Sequence, residues 1–186
     1  KKGARIVWAD IDLKSRVVTA QTLAKRITPK AKAIVVPHLY GFGAEMPEIM
    51  ALAERHNLLV VEDAAQVLGV DVAGKKAGSF GDFGVFSFHS HKNITTLGEG
   101  GMLVVKDENL ANIVPQLRHN GHCSFPNTRE DYWIPAMGNV DFPEINGETL
   151  WPNNFCLGEV ECALGSKLLD RIDSINQEKR KRALKF

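Results

Sequence analysis

The chain has 186 residues, 23 Lys+Arg against 22 Asp+Glu for a formal net charge of +1, with 44% hydrophobic and 24% charged residues. These proportions belong to a globular domain large enough to bury a core, and the near-balance of charge excludes the basic excess of a general nucleic-acid or membrane-surface binder. No apolar run nears the ~20 residues that a membrane-spanning helix needs, and none of secretory-signal length follows the opening Lys1-Lys2-Gly3-Ala4-Arg5.

Short β-branched runs alternate with amphipathic stretches. Residues 5–9 read as a strand and 22–27 as part of a short helical stretch. Residues 33–36 form a second strand, stopped by Pro37, which has no N–H to give to a ladder. Residues 47–57 read as a helix with Pro47 in its first turn and Ile49, Met50 and Ala53 at helical spacing. The run 58–61 is apolar on both faces, the mark of a strand buried in a parallel sheet. Strands follow at 83–88 and 102–105, the second entered through a flexible glycine turn. Residues 108–119 read as a helix with Asp107 as N-cap, Gly121 as stop, and Pro115 predicting a kink or break. Residues 123–153 hold Pro126, Pro135, Pro143 and Pro152 with little periodicity and read as an irregular excursion. Residues 158–184 read as one long helix, increasingly charged toward its end.

Strand–helix–strand repetition predicts an α/β fold with a mostly parallel sheet. Three segments are expected: 1–122 as the sheet-bearing portion, 123–156 as an excursion contacting a partner, and 157–186 as a helix leading to a further domain. The chain opens without Met and stops within a charged helical pattern, so it reads as a piece of a longer protein. Cys123, Cys156 and Cys162 lack C-x-x-C spacing, which argues against a disulfide scaffold or zinc ribbon and for a reducing, cytoplasmic setting.

Ligands of open α/β sheets collect at the carboxyl ends of the strands. After the 58–61 strand come Glu62, Asp63, Ala64, Ala65 and Gln66; alternation sends Glu62 and Asp63 to opposite faces, so one of them faces a given pocket. After the 83–88 strand come His89, Ser90, His91, Lys92 and Asn93, then Gly98-Glu99-Gly100-Gly101. That glycine run has neither common nucleotide-loop spacing. A carboxylate ending one strand and a lysine following another is the layout a pyridoxal phosphate (PLP) site needs. The cofactor aldehyde requires an amine, and the ring nitrogen requires a carboxylate that keeps it protonated.

The segments Glu62-Asp63-Ala64-Ala65-Gln66, Gly81-Asp82-Phe83-Gly84-Val85-Phe86-Ser87-Phe88-His89-Ser90-His91-Lys92-Asn93 and Gly98-Glu99-Gly100-Gly101 resemble the DegT/StrS family of PLP-dependent, fold-type-I sugar aminotransferases. Pro37-His38-Leu39-Tyr40-Gly41 and Leu117-Arg118-His119-Asn120-Gly121 are similar to the same family. The resemblance implies a three-layer large domain, here incomplete, with the phosphate loop and ring-stacking aromatic upstream and a small domain downstream. It implies that Lys92 forms the Schiff base and shuttles a proton, that Asp63 pairs with the ring nitrogen, that Gln66 reaches the ring oxygen and that Ser87 binds the phosphate. It implies that Asn154 reaches the neighbouring subunit's site, hence a homodimer. It further implies an enzyme that carries an amino group, with glutamate as the usual donor, to a nucleotide-linked keto-sugar for surface polysaccharide or related synthesis; the charge balance and the lack of a long apolar run add the expectation of no nucleic acid and no membrane as partners. Two alternatives stay open: a PLP-dependent sugar dehydratase, in which histidine replaces the lysine, and a non-catalytic regulatory relative.

This chain departs from the family at Cys156, where Arg is common, at Phe155 for Tyr, and at His91, where Thr is usual. His119, His122 and Cys123 do not have the spacing of a tetrahedral metal site. Cys156 and Cys162 read as core cysteines rather than nucleophiles, and Lys179-Arg180-Lys181-Arg182 as a solvated helix face.

Overall fold

The computed structural model describes residues 3–120, 144–145, 148–149 and 152–185. They divide into two units, Lys1–Val104 with Glu159–Phe186, and Val105–Gly158.

The first unit is built on a four-stranded sheet. Its strands are β1 (Ala33–Pro37), β2 (Leu59–Asp63), β5 (Phe83–Ser87) and β6 (Gly101–Val105), in the order β1-β2-β5-β6. A two-residue ladder of β3 (Asp71–Val72) and β4 (Lys75–Lys76) lies between β2 and β5 in the chain. β1 and β2 run parallel with Val36 opposite Glu62 and Pro37 opposite Asp63, and β2 and β5 run parallel with Glu62 opposite Gly84 and Asp63 opposite Val85. Beyond β5 the chain turns back. The Phe88 N–H bonds to the Gly100 carbonyl and the Ser90 N–H to the Gly98 carbonyl, an antiparallel sense that makes the sheet mixed.

One face of this sheet is closed. The helix α1 (Ala20–Ala24) starts at a reciprocal cap, with the Thr22 N–H on Thr19 Oγ1 and the Thr19 N–H on Thr22 Oγ1. Its Leu23 joins Met46, Ile49, Leu52 and Ala53 of α2 (Met46–Arg55) against Ile34, Val36 and Val60. The Met46, Ile49, Val36 and Val60 side chains are wholly buried. Leu68, Phe88 and Ile94 form a second cluster, on which Leu168 of α4 (Glu159–Leu169) and Ile172 and Ile175 of α5 (Ile172–Ala183) pack. The described residues thus supply the sheet and a helical layer on one of its faces.

Several expectations change. Residues 5–9 form no strand: they have no ladder partner among the described residues, and Ile6 and Trp8 are exposed. An apolar run becomes a strand only where a neighbour takes its hydrogen bonds, and here Arg26 Nε donates to the Trp8 carbonyl at 2.9 Å. The helix expected over 158–184 is two, interrupted at Asp170 and Arg171, and the break turns Ile172 and Ile175 onto the Leu68 cluster. The 58–61 run is buried on one face only, since Leu59 is 53% exposed. Cys156 and Cys162 are exposed rather than core.

In the second unit, α3 (Glu108–Arg118) starts at Asp107, whose carboxylate accepts the Leu110 N–H at 2.8 Å. It passes through Pro115 without breaking. The expected stop Gly121, with His122 and Cys123, lies outside the described residues. Within the excursion, β7 (Glu144–Ile145) and β8 (Glu148–Thr149) form an antiparallel ladder, and the rest of 123–151 lies outside them. Among the described residues no helix is long and apolar enough to cross a membrane.

Candidate active site

The ends of β1, β2 and β5 meet along one edge of the sheet, and adjacent residues there have opposite fates. Glu62 turns inward and is wholly buried; Asp63 turns to the other face and is exposed. Register carries the alternation across the sheet. Asp63 shares its face with Val85, and two residues further along β5 the same face carries Ser87. Asp63 and Ser87 therefore stand on one face of neighbouring strands.

Glu62 is held by four donors. Its Oε1 accepts the N–H groups of Phe80 at 2.6 Å and Gly81 at 2.7 Å, and its Oε2 accepts the Gly78 N–H at 2.7 Å and His38 Nε2 at 3.1 Å. The wrap requires a glycine across the ladder: a Cβ on Gly84 would collide with the Gly78 carbonyl. His38 Nδ1 accepts the Ala44 N–H at 3.0 Å, so the ring proton sits on Nε2 and a neutral imidazole donates to the carboxylate. Burial opposes ionisation of Glu62 most strongly. The bonds from His38, Gly81, Gly78 and Phe80 outweigh it, so this carboxyl sits below its ordinary range. The His38 N–H also donates to the Asp63 carbonyl at 3.0 Å, tying this buried pair to the backbone that carries Asp63.

Asp63 is comparatively open. Its Oδ1 accepts the Ala65 N–H at 3.1 Å, which leaves Oδ2 for a ligand. Gln66 is oriented rather than free: its Oε1 accepts the Tyr40 N–H at 3.0 Å, from the tight Leu39–Phe42 turn after β1. Its Nε2 is therefore the end available to donate. Ser87 Oγ accepts the His89 N–H at a long 3.4 Å and keeps its own hydrogen to give.

Lys92 lies in the loop between β5 and β6, half-buried, its N–H bonded to the His89 carbonyl at 2.9 Å. Among the described residues no ion pair occupies its ammonium. The glycine run fixes this loop instead of merely loosening it. Thr96, buried to 1% exposure, donates through Oγ1 to the Glu99 carbonyl at 2.6 Å, and a Cβ on Gly100 would run into that hydroxyl. His91 packs edge-on against His89, ring centroids 5.0 Å apart, and is exposed. His89 Nε2 stands 3.7 Å from Glu99 Oε1. His38 pairs with Glu62 instead, at 3.1 Å.

The structure thus places Asp63, Gln66, Ser87 and Lys92 in the segments at one sheet edge. Asn154 lies in the second unit, exposed, bridged to His119, its Oδ1 accepting the Cys156 N–H at 3.4 Å. An exposed carboxylate, an oriented amide donor, a hydroxyl and an amine are the donor set PLP requires at its ring nitrogen, ring oxygen, phosphate and aldehyde, so these residues fit that cofactor. Sequence reasoning missed Glu62 with His38; the signal available was a carboxylate at an inward position of a buried strand, which demands donors.

Comparison with known proteins follows the same lines. The pattern of the DegT/DnrJ/EryC1/StrS aminotransferase family matches residues 1–186. GDP-perosamine synthase of Caulobacter vibrioides is 40% identical over 171 residues, covering 92% of this chain and 41% of that protein. The Helicobacter pylori aminotransferase PseC, involved in the biosynthesis of pseudoaminic acid, is similar with a TM-score of 0.81 at 30% identity, over 98% of this chain and 44% of that one. A GDP-4-keto-6-deoxymannose-3-dehydratase (ColD) with bound GDP-perosamine is similar with a TM-score of 0.77 at 26% identity, over 96% of this chain and 46% of that one. The chain therefore spans less than half the length of each.

Proposed function

Because this chain belongs to the DegT/DnrJ/EryC1/StrS aminotransferase family, whose members are PLP-dependent fold-type-I enzymes, we propose that it forms the cofactor-holding part of a sugar aminotransferase. The reaction proposed is transfer of an amino group, with glutamate as donor, to a keto-sugar linked to a nucleotide. We place it in the cytoplasm, in surface-polysaccharide or related sugar synthesis, and in a homodimer to whose neighbouring site Asn154 contributes. The observation that carries the reading is Lys92 in the loop after β5, at the edge where β2 presents Asp63.

Bound there, PLP supplies an aldehyde that bonds to amines and a protonated ring that draws electrons from the carbon beside the nitrogen. Asp63 Oδ2, the oxygen not engaged by Ala65, balances the charge on the ring nitrogen. Gln66 Nε2, the end left by the bond from Tyr40, donates to the ring oxygen. The Ser87 hydroxyl donates to the phosphate. Lys92 Nζ would be the amine that holds the aldehyde, and when free it would serve as the base that moves a proton at the donor α-carbon.

The likeness to ColD favours a dehydratase as the second reading, and His91 stands one residue from the position that would decide it. A lysine at 92 supports the transferase, since the resemblance gives dehydratases a histidine in the lysine's place. The test uses the complete protein loaded with PLP. Borohydride should fix the cofactor's mass on the peptide carrying Lys92, and Lys92→Ala should abolish both that adduct and amination of nucleotide keto-sugars. An adduct elsewhere, or full turnover by the variant, overturns the proposal. Loss of a sugar hydroxyl without nitrogen incorporation would establish the dehydratase.

A further inference from the structure

Lys92 is fixed on its amino side by the bond from its N–H to the His89 carbonyl. On its carboxyl side the restraint comes from far along the chain. The Asn93 side-chain amide donates to Asn176 Oδ1 at 3.0 Å and to the Leu68 carbonyl at 3.3 Å. Asn176 Nδ2 donates to the same Leu68 carbonyl at 2.9 Å. Lys179 Nζ donates to the Asn93 carbonyl at 2.9 Å. The next residue, Ile94, is 4% exposed and belongs to the cluster on which Ile172 and Ile175 pack.

Ile172, Ile175, Asn176 and Lys179 recur at the spacing of one helix face, and that face of α5 is the one applied to the loop. Its upper half is apolar and buries Ile94; its lower half is polar and grips Asn93. Lys179 is thus not part of a purely solvated face, as its charged neighbourhood suggests.

We propose that Asn176 and Lys179 are positioning residues for Lys92, Asn176 holding the Asn93 side chain and Lys179 its backbone carbonyl, so that the lysine stem leaves the loop in one direction. The proposal rests on Lys92 being the cofactor-bonding amine. A loop released at Asn93 keeps its buried anchor at Ile94, so its removal should change how firmly the lysine holds the cofactor more than whether the chain folds.

The experiment uses the complete protein with Lys179→Met, Lys179→Arg and Asn176→Leu. Three quantities are read: loss of PLP on dialysis, the visible absorption band of the lysine-bound cofactor, and melting of the cofactor-free protein. Lys179→Met should speed cofactor loss by roughly threefold to tenfold, the worth of one hydrogen bond, with cofactor-free melting unchanged. Lys179→Arg, which keeps a cationic donor, should restore wild-type retention. Asn176→Leu should exceed Lys179→Met because it removes a donor and an acceptor; if it lowers the melting temperature, the exposed Lys179 pair decides alone. Wild-type retention and spectrum in Lys179→Met, or failure of Lys179→Arg to rescue, overturns the inference. A wild-type protein that does not hold PLP on Lys92 instead overturns the proposed function, a result distinguishable because no variant is needed to see it.

Discussion

The two faces of the β1–β2–β5 sheet are built from the same few residue types and do opposite work. On one face Ile34, Val36, Val60 and Glu62 are buried, and even the carboxylate is closed in by four donors. On the other, Val35, Leu59 and Val85 are 61%, 53% and 39% exposed, and one oxygen of Asp63 is uncommitted among the described residues. The contrast teaches that the difference between a structural and a chemical carboxylate is made by partners rather than by position in the chain, since Glu62 and Asp63 are neighbours. A saturated carboxylate fixes backbone; one with an open oxygen can meet a ligand.

The largest effect should come from emptying the saturated side. Glu62→Ala leaves His38 and three backbone N–H groups facing an apolar void. Removing one partner of a buried charged network costs about 3–5 kcal/mol, and chemical denaturation should show a loss of that size. An effect below ~1 kcal/mol would mean that water reaches those donors and that the face is not closed. Asp63→Asn should do the reverse: turnover of the complete protein should fall roughly 10²–10³-fold, as for loss of one preorganised electrostatic group, while the denaturation midpoint stays put. A variant that loses stability instead would show the two carboxylates to be equivalent.

Acid should discriminate the faces next. Because the folded carboxyl of Glu62 lies below its ordinary value of 4.5, its contribution to stability is complete above that value and disappears as the pH falls through the depressed one. The wild type should therefore lose stability on acidification below pH 4.5, and Glu62→Gln, already weakened, should lose less over the same interval. Parallel acid curves for the two proteins would remove Glu62 as the cause.

Much of this edge was legible in the residues. The 58–61 run located β2, period-two alternation separated Glu62 from Asp63, and the loop after β5 advertised Lys92. What could not be read was any bond that joins distant segments. His38 looked like one of several histidines until the Ala44 N–H and Glu62 fixed its tautomer. Residues 5–9 have the composition of a strand, but pairing depends on a neighbour that composition does not name. Asn176 and Lys179 sit in a helix too polar to announce a packed face, and their role exists only because the fold sets them against Asn93.

The smallest expected effect is the sharpest control, because it uses one residue type at adjacent positions of one strand. Val36 is 0% exposed and Val35 61% exposed. Val36→Ala removes two methyl groups from a packed interior, at about 2 kcal/mol for transfer and cavity together. Val35→Ala removes the same atoms from the open face and should change stability by less than about 0.5 kcal/mol. Denaturant titration of the pair measures the asymmetry of the sheet with backbone propensity held constant, because both sites are mid-strand and lose the same β-branch. Equal costs would show that the Val35 face is covered in the molecule measured, and Asp63 would then lie under that cover rather than at an open edge.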